Sequence, residues 1–427
     1  MTGLAKNATW VAIGQGLSVV VQASYFLLVA RLLGPAEFGR YATVVALVAV
    51  VSQYANLGSG YVLLRYGSIR EQDIPVFWGN VLLSLGTFAL PVVAAICAFA
   101  FYNTHTTSLE LVVTVALSDC VLQCLVNAAA QAFQSRERML TSAALTLSAN
   151  AARLITAALL LFLYERADSL VWARSVLLCS SLVALIAFAC VTKSFGWPKF
   201  RPPLLWKHAG EGLSFSVSLS TTALYNDLDK ILLGHYGFYS AAATYTAAYR
   251  VLNAANMPAY AIYSSAYPRF FRAGAQGFDA AVKLSRKLVL RTTPLTLLVS
   301  LGIFFTAPYA AAAFGPDFGD TARALRWLCF LPLFRSVQWS AGDALSGLGR
   351  QHIRLGLQGV AVIINLSLNL MLIPRHSWLG AAWATLVTDG SLAIMCWIAL
   401  GILPHSNSLR KPQGTQLDAV GQTPDQL

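Results

Sequence analysis

Apolar residues run along this chain in long blocks, broken by short polar connections. About twelve blocks of roughly 20 residues can be placed, the length that a helix needs to cross a bilayer. They lie at 8–31, 41–64, 76–102, 109–133, 142–163, 170–192, 211–234, 243–267, 288–313, 322–347, 353–373 and 378–402. Barrel strands would be half as long and strictly alternating, so the blocks predict helices and an all-α polytopic membrane protein. The first block exceeds the roughly 7–15 apolar residues of a secretory signal and is kept as a span. The longest connections, 193–210 and 268–287, are too short for a folded domain outside the membrane.

Polar positions inside the blocks recur at helical spacing, which puts each set on one side of its helix. Gln15, Ser18, Gln22 and Tyr25 mark the first span, and Asp119, Gln123, Asn127, Gln131 and Gln134 the fourth. Thr146, Asn150 and Arg153 mark the fifth, and Ser214, Ser218, Thr221, Tyr225 and Asp229 the seventh. The eighth carries the longest stripe: Tyr245, Tyr249, Asn253, Asn256, Tyr260, Tyr263 and Tyr267. Arg335, Gln338 and Gly342 follow in the tenth, and Gln358, Asn365 and Asn369 in the eleventh.

The chain also restarts. Arg31-Leu32-Leu33-Gly34 followed by Gly39-Arg40-Tyr41-Ala42 returns as Ile231-Leu232-Leu233-Gly234 followed by Ala243-Thr244-Tyr245-Thr246. Such a repeat predicts two bundles with a polar site between them. The expected division is an N-terminal six-helix bundle over 1–192, a cytoplasmic linker over 193–210 and a C-terminal six-helix bundle over 211–403. The Pro-, Gly- and Gln-rich segment 404–427 reads as a disordered cytoplasmic tail.

Composition agrees with the pattern. Hydrophobic residues make up 57% of the chain and charged residues 11%, against roughly 25% charged in soluble domains. The mean hydropathy of +0.61 excludes a soluble globule. All seven cysteines fall within the apolar blocks, without a Cys-x-x-Cys or Cys/His cluster. They read as small core residues, with no metal site and no cofactor. The net charge of +12 is concentrated in the connections on the N-terminal side, which places both termini in the cytoplasm. That surface suits anionic lipid headgroups. Spread over several short loops, it does not suggest a nucleic-acid partner.

Two explanations compete for the stripes. Ser, Thr, Asn and Gln hydrogen-bond between packed membrane helices. A column of tyrosines and charges near mid-span fits a wet cavity better, because an ionisable group in hydrocarbon costs roughly 2.5–3.5 kcal/mol on insertion scales. The first, seventh and eighth spans are therefore expected to line a cavity through Gln22, Tyr25, Tyr225, Tyr245, Tyr249, Asn253, Asn256 and Tyr260. Asp227 and Lys230 are i, i+3 neighbours, suited either to a local salt bridge or to ion coupling. Asp229 points away from that pair and is the stronger candidate for coupling.

At these motifs the chain resembles a known family. Ala30-Arg31-Leu32-Leu33-Gly34-Pro35-Ala36-Glu37-Phe38-Gly39-Arg40-Tyr41-Ala42 looks like the opening of bacterial polysaccharide-biosynthesis membrane proteins. These are the Wzx-type O-antigen and exopolysaccharide flippases of the multidrug/oligosaccharidyl-lipid/polysaccharide exporter superfamily. Asp229-Lys230-Ile231-Leu232-Leu233-Gly234 and Ala243 to Arg250 resemble the opening of its second half. Gln131-Ala132-Phe133-Gln134-Ser135-Arg136 and Gly347-Leu348-Gly349-Arg350-Gln351 resemble its loops after the fourth and tenth spans.

The resemblance implies a MATE-like V of two six-helix bundles in the bacterial inner membrane, working by alternating access. Its cargo would be an isoprenoid-diphosphate-linked oligosaccharide moved to the periplasmic leaflet, with a polysaccharide polymerase and glycosyltransferases as partners. A diphosphate needs cationic donors, and Arg153, Arg250 and Arg335 are the guanidinium groups within spans. Each could instead pair with Asp119, Asp343 or Asp389. Sugars need hydroxyl and amide partners and flat apolar faces, which the Tyr/Asn stripe supplies. No phosphate-binding glycine loop is present, so an ion gradient, the membrane potential or the substrate gradient must supply energy. A flippase for another lipid-linked precursor and a multidrug exporter are the alternatives. An enzyme would need an extracytoplasmic loop rich in carboxylates or histidines, and the sequence has none.

Overall fold

The structure, a computed structural model, describes residues 2–103 and 108–402, with side chains from residue 17 onward except that of residue 103. The stripe residue Gln15 and the tail 404–427 therefore lie outside the described residues or side chains. Fourteen α-helices follow one another without a strand among the described residues. They are α1 (Thr2–Val51), α2 (Ser59–Ile69), α3 (Ile74–Asn103), α4 (Leu109–Leu117), α5 (Cys124–Gln134), α6 (Met139–Leu163) and α7 (Ser169–Phe195). The rest are α8 (Pro202–His235), α9 (Tyr239–Gln276), α10 (Phe278–Phe314), α11 (Asp320–Leu328), α12 (Leu331–Gly347), α13 (Gln351–His376) and α14 (Trp378–Ile402).

Eight helical stretches are long and apolar enough to cross a membrane. Helices α8, α9 and α12 are not among these stretches, α12 having only 17 residues, and each carries a polar stripe. Three expected spans are not single helices. The second breaks between α1 and α2, the fourth becomes π-helical at Ser118–Gln123 between α4 and α5, and the tenth divides into α11 and α12. Within α1, Gly34 takes φ 68, ψ 173, a conformation open to glycine, and Pro35 follows it. Leu-Leu-Gly-Pro thus ends the first span at a kink that interrupts the helix.

The chain separates into two compact units. The first comprises Met1–Ala255, Leu301–Cys329 and Ile364–Leu386. One of its cores gathers Leu63, Trp78, Val81, Phe133 and Ala187; another gathers Phe26, Phe38, Trp172 and Phe318. Between these walls the repeated motifs meet. A Cβ at Gly39 would overlap the Tyr239 carbonyl, and a Cβ at Gly234 would strike the Thr43 side chain. Glu37 of the first motif accepts from Ser169 N at 3.2 Å and Ser169 Oγ at 2.5 Å. A carboxylate there complements the positive end of the α7 dipole.

The second unit comprises Asn256–Ser300, Phe330–Ile363 and Val387–Leu427. Helices α9 and α12 approach closely through glycine, since a Cβ at Gly274 would overlap the Gly347 carbonyl and one at Gly347 the Phe270 carbonyl. Small residues permit such contact where hydrocarbon gives helices no hydrophobic reason to associate. Hydroxyls reinforce it: Tyr263 Oη lies 2.8 Å from Thr292 Oγ1 and 3.0 Å from Ser336 Oγ. Ser285 and Ser340 form a further pair at 2.7 Å. These are the interhelical bonds that the sequence left open as one reading of the stripes.

Candidate functional site

The three intramembrane arginines find different surroundings. Arg153 on α6 donates from Nη2 to Asp119 Oδ1 at 3.4 Å and Gln123 Oε1 at 3.1 Å. Both partners sit on the π-helical turn, a local widening that often marks functional positions. Its Nε is buried without a partner among the described residues. Arg335 donates from Nε to Asp389 Oδ2 at 3.1 Å within the second unit. There too, Asp343 takes Arg354 Nη1 at 2.9 Å, with Ser346 Oγ 3.0 Å from the same nitrogen. Arg250 alone of the three has no carboxylate within ion-pair distance among the described residues. Its guanidinium carbon lies 3.8 Å from the centre of the Phe26 ring.

The acidic centre divides as the helical spacing suggests. Lys230 Nζ bonds Asp227 Oδ1, so the local salt bridge forms, and the same ammonium lies 5.3 Å from the Tyr249 ring centre. Asp229 turns the other way and is 3% exposed. Thr385 Oγ1 donates to its Oδ2 at 3.4 Å and sits 2.7 Å from Tyr245 Oη. Asp229 Oδ1 is buried without a partner among the described residues. Nearby in sequence to Thr385, Asn369 Nδ2 donates to Asn365 Oδ1 at 2.9 Å, leaving Asn369 Oδ1 buried and unpartnered. An orphaned carboxylate oxygen holds a proton or a cation readily, because either removes the cost of an unsolvated lone pair.

The tyrosine stripe is not uniform. Tyr245 and Tyr249 are buried in the first unit with ring centres 5.0 Å apart. Asn253 is exposed. In the second unit Asn256 is buried with its Oδ1 unpartnered, while Tyr260 is exposed and sets its ring edge against Trp339 at 5.7 Å. Tyr25 is buried against Phe26, and Gln22 and Tyr225 are half-buried. The stripes of the first and fifth spans meet directly, with Asn150 Nδ2 donating to Ser18 Oγ at 2.9 Å.

A polar cavity that the stripes only partly announce opens beside the broken second span. It has a volume of about 280 Å³ and is lined by Gln53, Asn56, Tyr61, Asn127, Gln131 and Gln134 among others. The α5 amides belong to a recognised ladder. The other wall was legible only as the run Ser52-Gln53-Tyr54-Ala55-Asn56 with Gly58 inside an apolar block.

Comparison with known proteins bears on this architecture. Residues 4–273 match the model of a family described as polysaccharide biosynthesis proteins. An uncharacterized membrane protein of Methanocaldococcus jannaschii is 23% identical over 238 residues, or 53% of this chain and 46% of the relative. The chain thus spans about half the length of that curated relative. Among solved structures, an inward-facing multidrug resistance MATE family transporter of the MOP superfamily superposes with a TM-score of 0.72 at 14% identity, covering 90% of this chain and 94% of its own. The lipid II flippase MurJ in an inward closed conformation gives 0.70 at 14% identity, with 92% and 88% covered. A MOP superfamily transporter from Pyrococcus furiosus gives 0.59 at 14% identity, with 93% and 95% covered. At such identities the likeness is one of fold. The family match runs over more than half of the sequence and takes in both copies of the repeated motif, so this multi-pass membrane protein, built on the MOP superfamily fold, belongs to the polysaccharide biosynthesis protein family.

Proposed function

We propose that the protein is a flippase that carries an isoprenoid-diphosphate-linked oligosaccharide across the bacterial inner membrane by alternating access, for O-antigen or exopolysaccharide assembly. The observation that carries this reading is the state of Arg250. A buried or half-buried cation costs roughly 2.5–3.5 kcal/mol to place in a span. The Phe26 face returns about 0.5–2 kcal/mol. The remainder favours an anionic ligand, and a diphosphate offers the guanidinium fork paired oxygens. Arg153 and Arg335 would join the diphosphate by exchanging Asp119 and Asp389 for it. Gln22, Tyr25, Tyr225, Tyr245, Tyr249, Asn253, Asn256 and Tyr260 would meet the glycan as the halves 1–192 and 211–403 open and close.

Asp229, with Asp227 beside it, would couple the cycle to a cation gradient. Glycosyltransferases supply the cargo on the cytoplasmic leaflet, where both termini lie, and a polymerase takes it on the other. The test is reconstitution in phosphatidylethanolamine/phosphatidylglycerol vesicles loaded with a fluorescent farnesyl-diphosphate oligosaccharide. Protein-dependent appearance of the glycan at the far leaflet is expected. Transport of organic cations instead, with the glycolipid left in place, would make the protein a drug exporter.

A further inference from the structure

The cavity of about 280 Å³ in the first unit lies where two helices lose their regular backbone at once. After α1 the chain tightens into a 3₁₀ turn at Ser52–Tyr54, and Leu57 (φ 48) and Gly58 (φ 64) are both left-handed. A leucine in that region is strained. Irregular backbone at membrane depth persists only inside protein or along a wet cavity. Side chains hold this break open: Ser84 Oγ donates to Asn56 O at 3.0 Å, Ser216 Oγ to Gln53 O at 2.7 Å, and Asn56 Oδ1 accepts from Gly58 N at 3.1 Å. Across the cavity stands the end of the π-helical turn, with Cys124 Sγ bonding Ser52 O.

The facing wall is made of amides with nothing assigned to them. Gln131 and Gln134 make no side-chain hydrogen bond within the protein among the described residues, although both line the cavity. Gly60 makes room for one of them, since a Cβ there would strike Gln131 Oε1. Tyr61 adds an aromatic wall, stacked on Phe215 at 5.2 Å and 18°. Tyr61 and Gln134 also border an adjoining cavity of about 690 Å³ that contains Arg65 and Arg136. Those guanidiniums are paired with Glu211 at 2.6 Å and Glu71 at 3.0 Å. The smaller cavity itself has no charged group in its lining.

Neutral donors and acceptors with a flat ring beside them match one ligand chemistry. A sugar ring offers hydroxyls to amides on its edge and C–H groups to an aromatic face. A free phosphate would want the arginines next door, and an acyl chain would leave the amides unsatisfied. The volume is near the lower end of small-ligand pockets, about 300 Å³, which suits a single ring rather than a whole oligosaccharide.

We propose that the cavity between the Ser52–Gly58 break and the Gln131/Gln134 face is a saccharide subsite, reading one sugar of the lipid-linked cargo. It rests on the flippase reading above and adds to it a glycan contact on α2 and α5, away from the tyrosine stripe of α9. The broken second span is then a binding element, because Ser52, Gln53, Asn56 and Gly58 of the break line the cavity.

Equilibrium binding to the full-length protein in nanodiscs tests this, with farnesyl diphosphate and its glucosyl, galactosyl and N-acetylglucosaminyl esters as probes. Wild type should bind at least one ester about tenfold more tightly than the bare diphosphate. Gln131→Leu with Gln134→Leu should bring that ratio to about one. Tyr61→Leu, which removes the flat aromatic face, should lower it about threefold and carries the test if the double variant fails to fold. If wild type binds none of the probes, the flippase reading and the subsite fall together. If the sugar preference exists and survives both variants, the subsite alone is overturned.

Discussion

Gly39 and Tyr239 touch through backbone: the position of a Cβ on Gly39 is already occupied by the Tyr239 carbonyl. Arg40 lies over the same tyrosine, 5.4 Å from its ring centre. Gly39 belongs to the first copy of the repeated motif and Tyr239 lies between the two stretches of the second, so the glycine of the first copy is a requirement of contact with the segment that joins the second. Overpacking of a close contact costs about 1–3 kcal/mol. Gly39→Val should therefore lower the melting temperature and the amount of protein in the membrane, whereas Gly237→Ala, with open space around it but a φ of 77, should cost less. Equal losses for both variants would mean that backbone conformation, and not helix contact, sets the need for glycine.

The Arg335–Asp389 pair makes a second prediction. Asp389 is 5% exposed, so removing Arg335 takes a cation away from a buried carboxylate. Breaking such a pair from one side costs about 3–5 kcal/mol, while replacing both members by apolar residues is often neutral. Arg335→Ala should reduce folded protein, and Arg335→Met with Asp389→Leu should restore it. Loss of transport in a well-folded double variant would show that the arginine also serves the cargo.

Arg250 should behave differently, because no carboxylate depends on it among the described residues. Arg250→Ala should leave the protein in the membrane and reduce glycolipid transport at least tenfold, about 1.4 kcal/mol or more. Arg250→Lys should recover part of the rate, since lysine keeps the charge and the contact with Phe26 but lacks the planar fork. Unchanged vesicle transport by Arg250→Ala would remove this residue from the site.

Asp229 carries the prediction about energy. Its free Oδ1 and its bond to Thr385 make it a switch only if proton or cation occupancy differs between the two open states. Asp229→Asn should retain probe binding yet lose the response of transport to an imposed pH or sodium gradient. Thr385→Val, which removes the donor to Oδ2, should weaken that response without abolishing it. Gradient-dependent transport by the Asn variant would leave Asp229 with a structural part.

The all-helical class, most of the span positions and the repeat were legible in the chain because hydropathy and helical periodicity are sums over neighbouring residues. Helical phase alone also separated Asp229 from the Asp227–Lys230 pair. The breaks were harder to see: the polar run Ser52–Asn56 with Gly58 lies inside an apolar block, and partners brought in from other helices, Ser84, Cys124 and Ser216, bond the backbone there. The partners of the arginines were likewise beyond any local reading. Asp119 lies 34 residues from Arg153 and Asp389 lies 54 from Arg335, and nothing in their flanking sequence distinguishes these two from Arg250. Which cation is neutralised, and which is left facing an aromatic ring, depends on how separate helices are brought side by side, and that is decided by packing in three dimensions.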